Sequence, residues 1–129
     1  MGRATFEVHG RPRPQGSGKP RPNGTFEYSV TTLRWRSDVT ETVLRLLARG
    51  EPFKALSVPV VAVAEFRLDC TERRKITDPP DTDKLQRAIG DALKDAGVLA
   101  DDSVVVGWHA WKRATLPGET EGVTIRLEW

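Results

Sequence analysis

Long apolar runs are missing from this chain, as are most of the residues that nucleophilic and soft-metal chemistry use. No stretch approaches the roughly 20 apolar residues needed to cross a bilayer, which argues against a membrane protein. With a single cysteine, Cys70, no internal disulfide can form, so the fold is expected to rest on packing alone in a reducing compartment. The first residues, MGRATFEVHGRPRPQ, hold no apolar core of the length a secretory signal needs, and the expected location is therefore cytoplasmic. The two histidines, His9 and His109, lie far from each other and from Cys70, which removes a zinc site of ordinary spacing. No GxSxG elbow and no dinucleotide fingerprint occurs, and GRPRPQGSGK lacks the spacing of a P-loop.

What is present suits one globular unit spanning 1–129. That length can bury a core without a staple, and a composition 38% hydrophobic and 29% charged is ordinary for a folded domain. The formal charge of +2 averages two unlike halves. Arg3, Arg11, Arg13, Lys19, Arg21, Arg34 and Arg36 face only Glu7 and Glu27 in the first 36 residues. The stretch DPPDTDKLQRAIGDALKDAGVLADD, residues 78–102, instead holds seven aspartates against Lys84, Arg87 and Lys94. A basic segment beside an acid cluster would serve a protein that attracts phosphates and positions a divalent cation among them; two solvated surfaces would look the same.

The periodicities predict the order strand, strand, helix, strand, helix, strand, strand. ATFEVHG reads as a strand, GRPRPQGSGKPRPNG as a loop, and GTFEYSV as a short strand. TTLRWRSDVTETVLRLLARG reads as a helix with Trp35, Val39, Val43, Leu46 and Leu47 on one face and Gly50 as its stop. SVPVVAVAEFRL is the strongest strand, apolar on both faces and so expected at the centre of a sheet. A second helix begins after Pro80, buries Leu85, Ala88, Ile89, Ala92, Leu93 and Ala96, and ends at Gly97. SVVVGWHAWKR and EGVTIRLEW follow as strands, with ATLPGETEG as a hairpin loop. The fold class is α+β, two layers, with a mixed β-sheet and two main helices packed on one face.

Within the acidic stretch, Asp83, Arg87 and Asp91 recur at i, i+4 on the polar side of the second helix. Each acid has an ordinary explanation: Asp81 as a cap, Asp83 as a first-turn acid, Asp91 as a salt-bridge partner of Arg87. Asp101 and Asp102 are left over, after the helix and just before a strand; whether they return to Asp81 depends on that strand's direction. An EF-hand is excluded, because counting from Asp78 puts Asp83 where its glycine belongs and Ile89 where its glutamate belongs. A hard cation such as Mg²⁺ needs only one or two carboxylates with water and phosphate.

The composite Asp81-Thr82-Asp83, Leu85-Gln86, Asp91-Ala92-Leu93, Ala96-Gly97 and Asp101-Asp102 with Val104-Val105 resembles the RusA-type Holliday junction resolvases of bacteria and their phages. The general layout, with a Pro- and Gly-rich early loop and a long first helix, is similar too. The resemblance implies a homodimer that uses Mg²⁺, with Mn²⁺ as a possible substitute, to nick four-way DNA junctions symmetrically. It implies Asp81, Asp83 and Asp102 as metal-binding and catalytic acids, with Asp101 as the adjacent metal acid. Lys84 stands where the family usually has asparagine, and Arg87 where it has a functional lysine; arginine can stabilise charge but not exchange a proton. Candidate DNA contacts are Arg11, Arg13, Lys19, Arg21, Arg73, Arg74, Lys75 and Lys84. Phe26, Tyr28, Trp108 and Trp111 are candidates for stacking on bases, with core or dimer packing as the alternative. The competing activities are a branched-DNA or flap nuclease of broader specificity and a catalytically impaired junction-binding homologue, in a bacterial cell or a phage-infected host.

Overall fold

The computed structural model describes residues 1–15, 19–24, 26–27, 29–50, 53–71 and 73–129. Strand β1 (Arg3–His9) leads into the basic loop, where β2 (Lys19–Pro20) and β3 (Phe26–Glu27) form a two-residue ladder. Helix α1 (Val30–Leu47) follows, then β4 (Val60–Leu68), α2 (Thr82–Asp95), a single 3₁₀ turn (Asp102–Val104), β5 (Val105–Ala114) and β6 (Gly122–Glu128). The main sheet has the order β1-β6-β4-β5, antiparallel except where β5 lies parallel to β4. This is the expected mixed sheet with two helices.

The period-2 patterns explain the layering. Ala4, Phe6 and Val8 register with Leu127, Ile125 and Val123, which register with Ala62, Ala64 and Phe66, so one sheet face is continuously apolar and buried. Trp35, Val39 and Val43 of α1 and Leu85, Ala88, Ile89, Ala92 and Leu93 of α2 close over that face. The opposite face carries Glu7, Glu65, Arg67, Thr124 and Arg126. Arg67 is only 3% exposed there, donating to Thr124 Oγ1 at 2.7 Å and reaching Glu7 at 3.5 Å. Gly122 makes that close approach possible, since a Cβ there would stand 2.2 Å from the Val8 carbonyl oxygen and 2.8 Å from an Arg67 guanidinium nitrogen.

Three expectations change. Of the second strand, Phe26–Glu27 is seen and Thr25 and Tyr28 lie outside the described residues, but Val30 already belongs to α1, whose cap is Ser29 accepting from the Thr32 N–H at 3.2 Å. The central strand starts at Val60, leaving Val58 46% exposed, because the buried alternation begins only there. Most consequentially, ATLPGETEG is no hairpin loop: β6 pairs with β1 and β4 and never with β5. The connection crosses the end of β4, a lateral step of two strand spacings, roughly 10 Å, which seven residues span easily.

That connection is pinned by charge. Arg113 donates two hydrogen bonds to Glu119, at 2.6 and 2.8 Å, and also reaches Glu65 at 3.1 Å. Arg113 and then the Leu116 N–H hold the Glu119 carboxyl at about 2, below its ordinary 4.5. Because the folded value is the lower one, this stabilisation is complete above pH 4.5 and is lost as pH falls toward about 2. Denaturant unfolding across that window is expected to show a loss of stability that Glu119→Gln largely lacks. Parallel pH curves for the two proteins would remove Glu119 as the source.

Candidate active site

Helix α2 starts at the end of β4's connection and runs back toward the start of β5. Its long apolar stripe fixes its rotation, so the residues left facing outward are fixed as well. A parallel β4-β5 pair joined through a helix brings the chain just before β5 beside the later turns of that helix. There the 3₁₀ turn at Asp102 meets α2: a Cβ on Gly90 would lie 4.0 Å from Asp102 Cβ and 3.6 Å from the Trp108 ring. The direction of β5 therefore answers the question the spacing left open.

The result is a cleft of about 200 Å³ lined by Asp83, Gln86, Arg87, Gly90, Asp102 and Trp108. Asp83 stands at the helix-start end and Asp102 beside Gly90, with Arg87 between them along the helix. Seven residues of helix separate Asp83 from Gly90, a rise of about 10 Å. The side chains of Asp83, Arg87 and Asp102 make no hydrogen bond or ion pair among the described residues. The alternative reading of Arg87, a surface salt bridge to Asp83 or Asp91, is not what the structure shows: neither pair forms among the described residues. Asp91 turns instead to α1 and the loop, accepting from the buried Gln15 side chain and lying 3.7 Å from Arg36. Arg36 holds Asp95 more tightly, with contacts of 2.7 and 3.1 Å.

Asp81 and Asp101 stand outside the cleft. Asp81 occupies the N-cap position of α2 with the extended backbone of a cap, yet its side chain makes no capping hydrogen bond and is exposed. Asp101 is committed elsewhere: it accepts from the Ser103 N–H and pairs with Lys94 Nζ at 3.0 Å. The Ser103 hydrogen bonds and then Lys94 hold its carboxyl far below the ordinary carboxylate range. Among the described residues no three of His, Cys, Asp and Glu converge as a ready-made metal cage. The donor set of the cleft nevertheless fits a hard divalent cation, which takes oxygen ligands and is commonly held by only one or two carboxylates with water and phosphate. Asp83 and Asp102 supply such donors, both exposed and neither ion-paired among the described residues.

The turn before α2 is built from the sheet side. Lys112, on the helix-facing side of β5, donates to the carbonyls of Asp78 at 2.8 Å and Pro80 at 3.0 Å. Arg74 donates to the Pro79 carbonyl at 3.0 Å. Asp78 closes the same turn by accepting from the Lys75 N–H at 2.9 Å. Asp81 and Asp83 thus leave a turn held by two cationic side chains.

The match of a family model covers residues 7–128 and is described as Endodeoxyribonuclease RusA. The chain belongs to the RusA endodeoxyribonuclease family. No curated protein matches it. RusA membership implies a Holliday junction endodeoxyribonuclease acting on branched DNA. No helix among the described residues is long and apolar enough to cross a membrane.

Within this RusA chain the candidate DNA contacts divide. Arg11, Arg73 and Arg74 line a cleft of about 410 Å³ with Asp69, Thr71 and Glu121, while Arg11 and Arg13 line a second cleft on α1. Lys19, Arg21, Lys75 and Lys84 are exposed, and the Lys84 carbonyl accepts from the Gln15 N–H at 3.0 Å. Arg74 is half-buried and spent in part on Pro79. Of the stacking candidates, Trp108 walls the acidic cleft and Trp111 packs on His109 across the open sheet face, ring centroids 4.9 Å apart. Tyr28 and the Phe26 side chain lie outside the described residues. Sequence reasoning did not place Gln86 and Gly90 in the cleft. Both share the face of Asp83 at i+3 and i+7, a signal that reading only the charged residues passes over.

Proposed function

We propose that this RusA-family chain is a Mg²⁺-dependent, structure-specific endodeoxyribonuclease that resolves four-way junctions by paired symmetric nicks, working as a homodimer in the cytoplasm. The observation that supports it best is the single cleft onto which Asp83, Arg87 and Asp102 all open. In this reading Asp83 and Asp102, with Asp81 at the neighbouring helix start, hold the cation, and Mn²⁺ can replace it. Asp101, spent on Lys94, acts by fixing the turn that carries Asp102.

When bound, the cation lowers the pKa of a water and offsets charge on the phosphoryl oxygens. Arg87 faces the scissile phosphate and stabilises the negative charge that builds there as a water oxygen adds to phosphorus and one ester P–O bond breaks. Its guanidinium stays protonated throughout, so it takes no part in moving the proton. Trp108 walls the cleft opposite α2 and limits how deep the backbone can enter. Arg11, Arg13 and Arg73, with the exposed lysines and Arg21, hold the junction arms through phosphates.

Labelled four-way, three-way and linear duplex DNA incubated with and without Mg²⁺ provides the test. Only the four-way junction is expected to be cut, only with the cation, and at two symmetric positions. Efficient cutting of the three-way form would replace the reading with a broader branched-DNA nuclease. Tight junction binding without any cutting would leave a binding homologue, the outcome that Arg87 and Lys84 at the family's lysine and asparagine positions make worth testing.

A further inference from the structure

The RPRP motif, whose arginines the proposed function assigns to DNA phosphates, meets the first turns of α1 in a cleft separate from the acidic one. Arg11 and Arg13 from the loop and Arg34 from α1 line one cleft of about 190 Å³, with Thr31, Trp35 and a single acid, Asp38. Trp35, only 3% exposed, forms a rigid floor. The side chains of Arg13, Arg34 and Asp38 make no ion pair or hydrogen bond among the described residues. Three arginines and one acid thus line a single cleft, a net positive lining that favours an anion, and Arg11 lies between it and the neighbouring cleft that Asp69 lines.

The cradle is also held still. Pro12 and Pro14 restrict the backbone on both sides of Arg13. Thr32 donates to the Pro14 carbonyl at 2.9 Å, and the next residue, Gln15, is 3% exposed and tied to α2 through the Lys84 carbonyl and the Asp91 carboxylate. Arg36, two residues beyond Arg34, clasps Asp95 of α2. Both walls of the cleft are therefore fastened to the helix that carries Asp83 and Arg87. At about 190 Å³ the space is below the roughly 300 Å³ at which small-molecule sites begin, yet it suits one phosphate group. Guanidinium groups match phosphate oxygens by forked hydrogen bonds.

We infer that Arg11, Arg13 and Arg34 form a phosphodiester-binding subsite that grips a junction arm at a fixed offset from the acidic cleft. This rests on the reading of the chain as a branched-DNA nuclease, and it adds Arg34 and a defined pocket to it. Arm capture at a set distance would let a junction seat where a linear duplex meets the cleft only in passing.

The test is junction affinity measured by fluorescence anisotropy over a range of KCl, without divalent cation, for wild type, Arg34→Ala, Arg13→Ala with Arg34→Ala, and Arg126→Ala. Arg126 lies on the open sheet face and removes the same charge at a distance. Arg34→Ala is expected to weaken binding roughly three- to tenfold and to lower the slope of log Kd against log salt by about 1; the double variant should go further. Arg126→Ala should keep both. Equal slopes in wild type and the double variant would overturn the subsite, as would an Arg126→Ala loss matching that of Arg34→Ala. Wild type that binds no branched DNA at any salt would instead overturn the functional reading on which the subsite rests. Thermal melts accompany each variant; Arg34 is exposed and its side chain has no partner among the described residues, so an unchanged melt is expected and keeps the affinity change attributable to the site.

Discussion

Asp83→Asn is expected to bind four-way junctions at least as tightly as wild type and to cut them at least about a hundredfold more slowly in Mg²⁺. The argument starts from what the substitution leaves alone. Asp83 is exposed, sits in the first turn of α2 and its side chain makes no hydrogen bond or ion pair among the described residues, so losing its charge disturbs no packing. Its only structural contribution is a first-turn carboxylate against the helix dipole, worth roughly 0.3–1 kcal/mol. The chemistry changes much more. An amide keeps the shape and one oxygen but loses the charge for which a hard cation exchanges its water. DNA, repelled by the carboxylate, is released from that repulsion. Binding and cutting should therefore move in opposite directions, which a damaged fold would not produce. Single-turnover cutting under saturating Mg²⁺, beside anisotropy in its absence, separates the two. Cutting at the wild-type rate would take Asp83 out of the proposed site.

Whether such a residue is legible in the sequence depends on whether its placement is local. The buried stripe of α2 has a helical period, and once Leu85, Ile89 and Leu93 face inward, the outward direction of Asp83 and Arg87 follows from the same arithmetic. Asp102 was different. It lies in another segment, and only the parallel pairing of β5 with β4 brings it beside Gly90. A strand's direction is a long-range property, which is why the acids could be counted but not assembled. The same limit produced the misread hairpin, since a short loop with two flanking strands says nothing of a third strand lying between them. It also hid the partner of Asp91. On the helix wheel Arg87 is the nearest cation, but Arg36 and Gln15 arrive from elements more than 50 residues away and take the carboxylate first.

That reassignment bears directly on the second large effect. Among the described residues the Arg87 side chain has no ion-pair or hydrogen-bond partner, and it lines the cleft, so a substitution there tests chemistry with little structural interference. Arg87→Ala is expected to lower the single-turnover cutting rate by roughly 10²–10³, the usual cost of removing one preorganised donor from developing negative charge, while stability stays within about 0.5 kcal/mol of wild type. Arg87→Lys then separates stabilisation from proton exchange. Arginine remains charged at every accessible pH, so the wild-type rate should show no falling alkaline limb due to this group. Lysine restores the charge but titrates, and its variant should recover much of the rate and acquire such a limb. If alanine instead costs stability and leaves cutting intact, Arg87 is a structural cation. If lysine cuts no better than alanine, the forked geometry of the guanidinium, and not its charge, is what this chain uses where the family pattern has an amine.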